Sequence, residues 1–133
     1  MSRFRQLVEQ ARAKIRETSV PEIRRRIEAG DRFYLIDVRE EGEYVRGRIP
    51  GANWLGKGIL ERDVERAIPD PEAEIVLYCG GGHRSALAAD ALRRMGYTNA
   101  WSMAGGIGEW QRSGFPIEAG VTTRPVPRAF FLP

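Results

Sequence analysis

At 133 residues, with 42% hydrophobic and 29% charged residues, the chain has the size and composition of one soluble globular domain around one core. No stretch approaches the ~18 apolar residues of a membrane span. The opening Met1-Ser2-Arg3-Phe4-Arg5-Gln6 lacks the apolar run of a signal peptide, so the expected compartment is the cytoplasm. The net charge of +3 favours small anionic partners, whereas the sharpest basic run, Arg24-Arg25-Arg26, is surrounded by Glu22, Glu28 and Asp31 and carries no interleaved aromatics. It reads as a solvated helix face, and neither a nucleic-acid nor a membrane partner is expected.

Taken in chain order, Phe4, Leu7, Val8, Ala11 and Ile15 recur at helical spacing between Ser2 and Ile15. Ser19 or Val20 then leads through Pro21 into a second helix, Pro21 to Ala29, which Gly30 terminates. The continuous apolar run Phe33 to Val38 has the character of a buried parallel strand. Glu40 to Val45 predicts one or two helical turns, Arg48 to Asn53 a turn, and Ala52 to Leu55 a short strand. A helix over Ile59 to Ala67 is stopped by Pro69 and Pro71, and Ile75 to Cys79 is the second strong strand. After Gly80 to Gly82 comes a helix over Arg84 to Met95, then a strand at Ala100 to Ser102 and a short helix at Ile107 to Arg112. The tail from Gly120, with Pro125, Pro127 and Pro133, carries no periodicity and is expected to be extended.

Strands alternating with helices predict an α/β domain with a parallel sheet covered on both faces. In such sheets ligands sit beyond the carboxyl ends of the strands. Cys79 falls at such an end, and it is the chain's single cysteine. One cysteine and one histidine allow neither an internal disulfide nor a structural zinc site, which takes about four such ligands. No metal or cofactor is expected.

A lone cysteine can be a small hydrophobe in a core. Here it opens Cys79-Gly80-Gly81-Gly82-His83-Arg84-Ser85, and an inert core position has no need of a glycine-rich polar loop. Three glycines let the backbone curl through positive φ and turn its N–H groups inward. The helix that follows adds free N–H groups and the positive end of its dipole. A thiol in that bowl is expected to be held as thiolate, the nucleophilic form. Ser85 is expected to cap the helix through its hydroxyl.

The segment Cys79-x-x-Gly82-x-Arg84-Ser85 behind an apolar strand resembles the active-site loop of rhodanese domains. Leu35-Ile36-Asp37-Val38-Arg39-Glu40, Glu43-Tyr44 and Gly47-Arg48-Ile49-Pro50-Gly51-Ala52 are similar to that family's early signature. Met103-Ala104-Gly105-Gly106-Ile107, Trp110 and Gly114-Phe115-Pro116-Ile117 are similar to its closing one. Arg48 departs from the histidine often found before Ile-Pro-Gly-Ala, at a position in a structural turn.

The resemblance implies a three-layer α/β/α fold on a mainly parallel sheet of about five short strands. It divides the chain into an N-terminal helical extension (1–18), the domain proper (19–118) and a tail (119–133). It also implies sulfur transfer through a persulfide on Cys79, from thiosulfate or a similar anionic donor to cyanide, a thiol or a protein acceptor. Amides of Gly80, Gly81, Gly82, His83, Arg84 and Ser85 would stabilise the persulfide anion. Arg84 would either pair with the donor's sulfonate or clamp an acidic residue; His83 would assist proton transfer or shape the loop mouth. Asp37 and Arg39 would brace loops near the site, and Trp54, Trp101 and Trp110 would pack. Two other readings compete. Cysteine-dependent phosphatases and arsenate reductases place five residues between cysteine and arginine, whereas only Gly80 to His83 intervene here, a smaller bowl suited to one sulfur atom. A rhodanese fold can also serve as a sulfur carrier or partner-binding module.

Overall fold

The computed structural model describes residues 1–121, so the tail read as extended lies mostly outside the described residues. The elements run α1 (Arg3–Arg12), β1 (Arg16–Ser19), α2 (Val20–Glu28), β2 (Tyr34–Asp37), α3 (Glu41–Arg46), β3 (Asn53–Trp54), a 3-10 turn (Lys57–Ile59), α4 (Leu60–Ala67), β4 (Ile75–Tyr78), α5 (His83–Arg94), β5 (Ala100–Ala104) and α6 (Gly106–Arg112). The five strands form one sheet in the order β1-β5-β4-β2-β3, and every pairing is parallel. The expected fold class is therefore the observed one.

Parallel strands covered on both faces show how a run without alternation splits between two cores. Along β4, Ile75, Leu77 and Cys79 face a core built with Leu60, Val64, Ala88 and Leu92 of α4 and α5. Val76 and Tyr78 face the other core, with Ile23 and Ile27 of α2 and Ile107 and Trp110 of α6. The alternation sets the direction of Cys79: its side chain enters the layer beneath the start of α5.

Local chemistry sets the ends. Ser19 Oγ accepts the Glu22 amide at 3.2 Å, with Pro21 in the first turn of α2. Strand β1 departs from the sequence expectation, which runs the first helix to Ile15 and places no strand before Ser19. The helix ends at Arg12, and Arg16-Glu17-Thr18-Ser19 lies along β5 as the sheet's edge. An edge strand paired on one side can be polar, so it leaves no apolar run in the sequence.

Of the arginine run, Arg24 and Arg25 lie on the solvated side of α2, whereas Arg26 is tied into the fold. Arg24 pairs with Glu28 and Arg25 with Glu22, while Arg26 grips both oxygens of Glu74 at 2.7 Å and stacks over Phe33. Among the described residues no helix is long and apolar enough to cross a membrane.

Arg48 does more than fill a turn. It is 4% exposed, lies over the Tyr44 ring, and donates to Glu118 Oε1 at 3.0 Å, Tyr44 O at 3.1 Å and Gly120 O at 2.7 Å. Together with backbone bonds between Arg48 and Glu118, these contacts fasten residues 118–120 to the turn before β3. Replacing Arg48 by Ala is expected to cost about 1–3 kcal/mol, because the carbonyl of Tyr44 loses its buried charged donor. Urea unfolding measures the loss, and amide exchange at Gly120, whose N–H bonds Val45 O at 2.8 Å, is expected to accelerate.

Candidate active site

Cys79 is 1% exposed and stands one residue beyond β4. Its sulfur accepts the Gly82 amide at 3.2 Å and the Ser85 amide at 3.4 Å, and lies 3.5 Å from Ser85 Oγ. Of the loop amides expected around the sulfur, these two reach it. The curl of the loop also concentrates at one point: Gly82 alone of the three glycines takes positive φ (+97°). Gly81 is exposed, with open space where a side chain would go.

The amides point inward because the carbonyls are held elsewhere. Ile107 N–H donates to Cys79 O and Gly108 N–H to Gly80 O, both at 2.9 Å, from the first turn of α6. That approach is possible only at a glycine. A Cβ on Gly106 would sit 2.5 Å from both carbonyl oxygens, at a φ of +59°. The Gly105-Gly106 pair of the closing signature thus shapes the Cys79 loop from the end of β5.

Ser85 does not cap α5. The helix begins at His83 with Gly82 as its cap residue and no side-chain cap bond. Ser85 is fully buried in the first turn, and its hydroxyl faces the Cys79 sulfur on one side and Ser102 Oγ, 2.8 Å away, on the other. Arg84 takes the clamp alternative: its guanidinium grips Glu43 at 2.7 and 3.2 Å. Glu43 also accepts the Glu40 amide in a capping box at the start of α3. The Arg84 bonds, helped by that amide, hold the Glu43 carboxyl down at about 2. His83 stands at the loop rim, its ring edge-on to Phe4 of α1 at 6.1 Å.

Asp37 and Arg39 are brought together at the end of β2 as a buried pair. Arg39 donates Nε and Nη2 to Asp37 at 2.7–3.2 Å and reaches Gly47 O at 2.5 Å. Burial opposes the Arg39 charge and its bonds to Asp37 favour it, with the net effect upward. Behind them, burial raises the Tyr78 phenol well above its usual range. The pair braces the loop before β3 and leaves the sulfur to the Gly82–Ser85 side. The three tryptophans pack or tie backbone: Trp54 Nε1 donates to Arg39 O, and Trp110 Nε1 to Pro116 O, each at 2.7 Å.

Sequence reasoning left out Glu43, Gly106 and Ser102 as site residues. Glu43 carries a local signal, its place three residues after Glu40. Ser102 carries a weaker one, a hydroxyl in an otherwise buried strand. No group of three or more His, Cys, Asp or Glu side chains is placed to hold a metal ion among the described residues.

The sulfur stands at a parallel-strand end and accepts two amides of the following loop, an arrangement with the chemistry to hold a sulfur-centred anion. The chain belongs to the rhodanese-like domain family, whose profile matches residues 19–113. It is 34% identical over 85 residues to a sulfurtransferase of Allochromatium vinosum, covering 64% of this chain and 78% of that one. It is 33% identical over 98 residues to the YtwF protein of Bacillus subtilis, provisionally named a sulfurtransferase, covering 74% and 92%. The thiosulfate sulfurtransferase of Pseudomonas aeruginosa superposes with a TM-score of 0.73 at 26% identity, over 80% of this chain and 20% of that one. A Rhodopseudomonas palustris protein of unknown function, for which tyrosine phosphatase activity has been suggested, superposes with a TM-score of 0.77 at 29% identity, over 89% and 96%.

Two predictions follow from this geometry. Gly81→Ala is expected to leave Cys79 reactivity within about twofold, whereas Gly106→Ala, which forces a Cβ onto two carbonyls, is expected to reduce it by at least about tenfold; the rate of Cys79 alkylation reads both. Glu43 has a depressed folded value, so its stabilising effect is present above the ordinary carboxylate range and fades as pH falls toward about 2. The stability gap between wild type and Glu43→Gln is therefore expected to be constant above pH ~5 and to close toward pH ~2, in urea melts taken across that window.

Proposed function

We propose that this protein is a sulfurtransferase that carries a sulfane sulfur as a persulfide on Cys79. The observation that carries the reading is the sulfur of Cys79 at the end of β4, accepting two loop amides within 3.4 Å. In the first half-reaction the thiolate attacks the outer sulfur of thiosulfate or a similar anionic donor. A new S–S bond forms, the donor's S–S bond breaks, and sulfite leaves with the electron pair. In the second, a thiophilic acceptor such as cyanide, a small thiol or a partner's thiol attacks the outer sulfur and the Cys79 thiolate departs. Amides of Gly82 and Ser85 stabilise the sulfur anion through both halves, as an oxyanion hole stabilises oxygen.

Arg84 acts here as a brace. Its guanidinium is committed to Glu43, so we assign it the task of fixing the outer wall of the loop. Asp37 and Arg39 brace the neighbouring loop, and His83 and the exposed Gly81 border the entrance. We place the reaction in the cytoplasm, with neither nucleic acid nor membrane as a partner.

A phosphatase reading has one observation in its favour, the suggestion attached to the Rhodopseudomonas palustris neighbour. Against it stand the four-residue spacing from Cys79 to Arg84 and the pairing of the Arg84 guanidinium with Glu43.

Incubation with thiosulfate is expected to add one sulfur atom to the intact protein, and subsequent cyanide to remove it as thiocyanate. Cys79→Ser is expected to abolish both steps. Absence of sulfur addition, or Cys79-dependent hydrolysis of p-nitrophenyl phosphate in its place, would turn the reading toward the phosphatase. Sulfur addition without release to cyanide or small thiols would leave a sulfur carrier that serves one partner.

A further inference from the structure

The Cys79 loop has a buried polar neighbour that the transfer chemistry does not itself require. Ser102 lies in the middle of β5, in register with Leu77 of β4 on one side and Glu17 of β1 on the other. Its side chain is fully buried, and among the described residues its hydroxyl has one hydrogen-bond partner, Ser85 Oγ at 2.8 Å. Ser85, equally buried, has two: Ser102 Oγ and the Cys79 sulfur at 3.5 Å.

Each hydroxyl carries one hydrogen, and this fixes the polarity of the chain. If the sulfur were a thiol donating to Ser85 Oγ, Ser85 would turn its hydrogen to Ser102. The Ser102 hydrogen would then lie buried without an acceptor, a state that proteins avoid. If the sulfur is an anion, Ser102 donates to Ser85, Ser85 donates to the sulfur, and every hydrogen is used. The two arrangements differ in the direction of both bonds and in the proton on the sulfur, and of the two the second leaves no hydrogen without an acceptor.

We propose that Ser102 is a positioning residue for the sulfur anion. By donating to Ser85 Oγ it obliges the Ser85 hydroxyl to present its hydrogen to Cys79. In doing so it adds a third donor, of fixed orientation, to the amides of Gly82 and Ser85. A hydroxyl that is itself accepting a hydrogen bond is also a stronger donor, so the effect of Ser102 reaches the sulfur through Ser85. The proposal rests on the reading of Cys79 as a sulfur nucleophile, but its consequence is readable without any transfer assay.

Other charges near the pair are compensated within their own contacts. Arg84 faces Glu43, Arg39 faces Asp37, and Arg12 of α1 lies between Glu9 and Glu17. Glu109 of α6 lies over Gly105, and His83 is the one imidazole on the rim. His83 is an ionisable neighbour on the loop rim, so the comparison is also made in a His83→Gln background.

The test is the rate of Cys79 alkylation by iodoacetamide, a neutral reagent, followed from pH 5 to 10 in wild type, Ser102→Ala, Ser85→Ala and the double variant. Ser102→Ala is expected to move the profile to higher pH and to slow alkylation at neutral pH by about three- to tenfold, the scale of a charge-assisted hydrogen bond weakened but not removed. Ser102→Cys, similar in size and a weak donor, is expected to shift it the same way. In the Ser85→Ala background, Ser102→Ala is expected to change nothing further, since its route to the sulfur is gone. An unshifted profile, a shift to lower pH, or an equal shift with and without Ser85 would each overturn the proposal. Thiosulfate plays no part in this measurement, so failure of the sulfurtransferase reading would show up separately, in the mass experiment.

Discussion

The structure depends on where two carbonyl groups go. A loop that presents N–H groups to a buried sulfur must turn its carbonyls away, and a buried carbonyl without a partner is costly. Here the oxygens of Cys79 and Gly80 are taken up by the amides of Ile107 and Gly108, which the first turn of α6 leaves unpaired. One contact therefore satisfies two sets of otherwise orphaned groups. It also explains why the chain after β5 must pass so close to the loop after β4, and hence why Gly106 has no room for a side chain. The sheet order places β5 beside β4, which brings the two loops together at the same edge of the layer.

Around that contact the site is held by arginine pairs, two of which reach across long separations in sequence. Arg84 to Glu43 joins α5 to α3, Arg39 to Asp37 and to Gly47 O joins β2 to the next loop, and Arg48 to Glu118 and Gly120 O joins that loop to the end of the described chain. Each guanidinium grips a carboxylate with at least one bond of 3.0 Å or shorter. The arginine-rich character of the chain is thus a structural device around the Cys79 loop at least as much as a source of positive field.

What the sequence made legible follows the range of the physics involved. Cys79, its glycines and the strand before it are neighbours in the chain, so apolar run, break and helix start could be read together. The parallel sheet followed from uninterrupted runs such as Ile75-Val76-Leu77-Tyr78, which need cover on both faces. Strand β1 was not legible, because an edge strand can be as polar as Arg16-Glu17-Thr18-Ser19. Ser85 was read as a cap since hydroxyls favour that place; the helix starting two residues earlier turned it inward to the sulfur. The choice between sulfonate and carboxylate for Arg84 depended on Glu43, 41 residues away, and no local pattern settles such a partner. Ser102 depended in the same way on strand register.

The burial of Cys79 has a consequence for which molecules can take part in each half of an exchange. With 1% of the residue exposed, the sulfur offers a reagent very little surface, so in the proposed exchange the size of the donor would count before its charge or affinity. In the proposed persulfide the reactive atom would stand one S–S bond, about 2 Å, beyond the Cys79 sulfur. A recipient too bulky to reach the cysteine itself could then meet the transferred sulfur. Depth in the fold would thereby become a form of order in that reaction, with the small partner first and the large one met halfway.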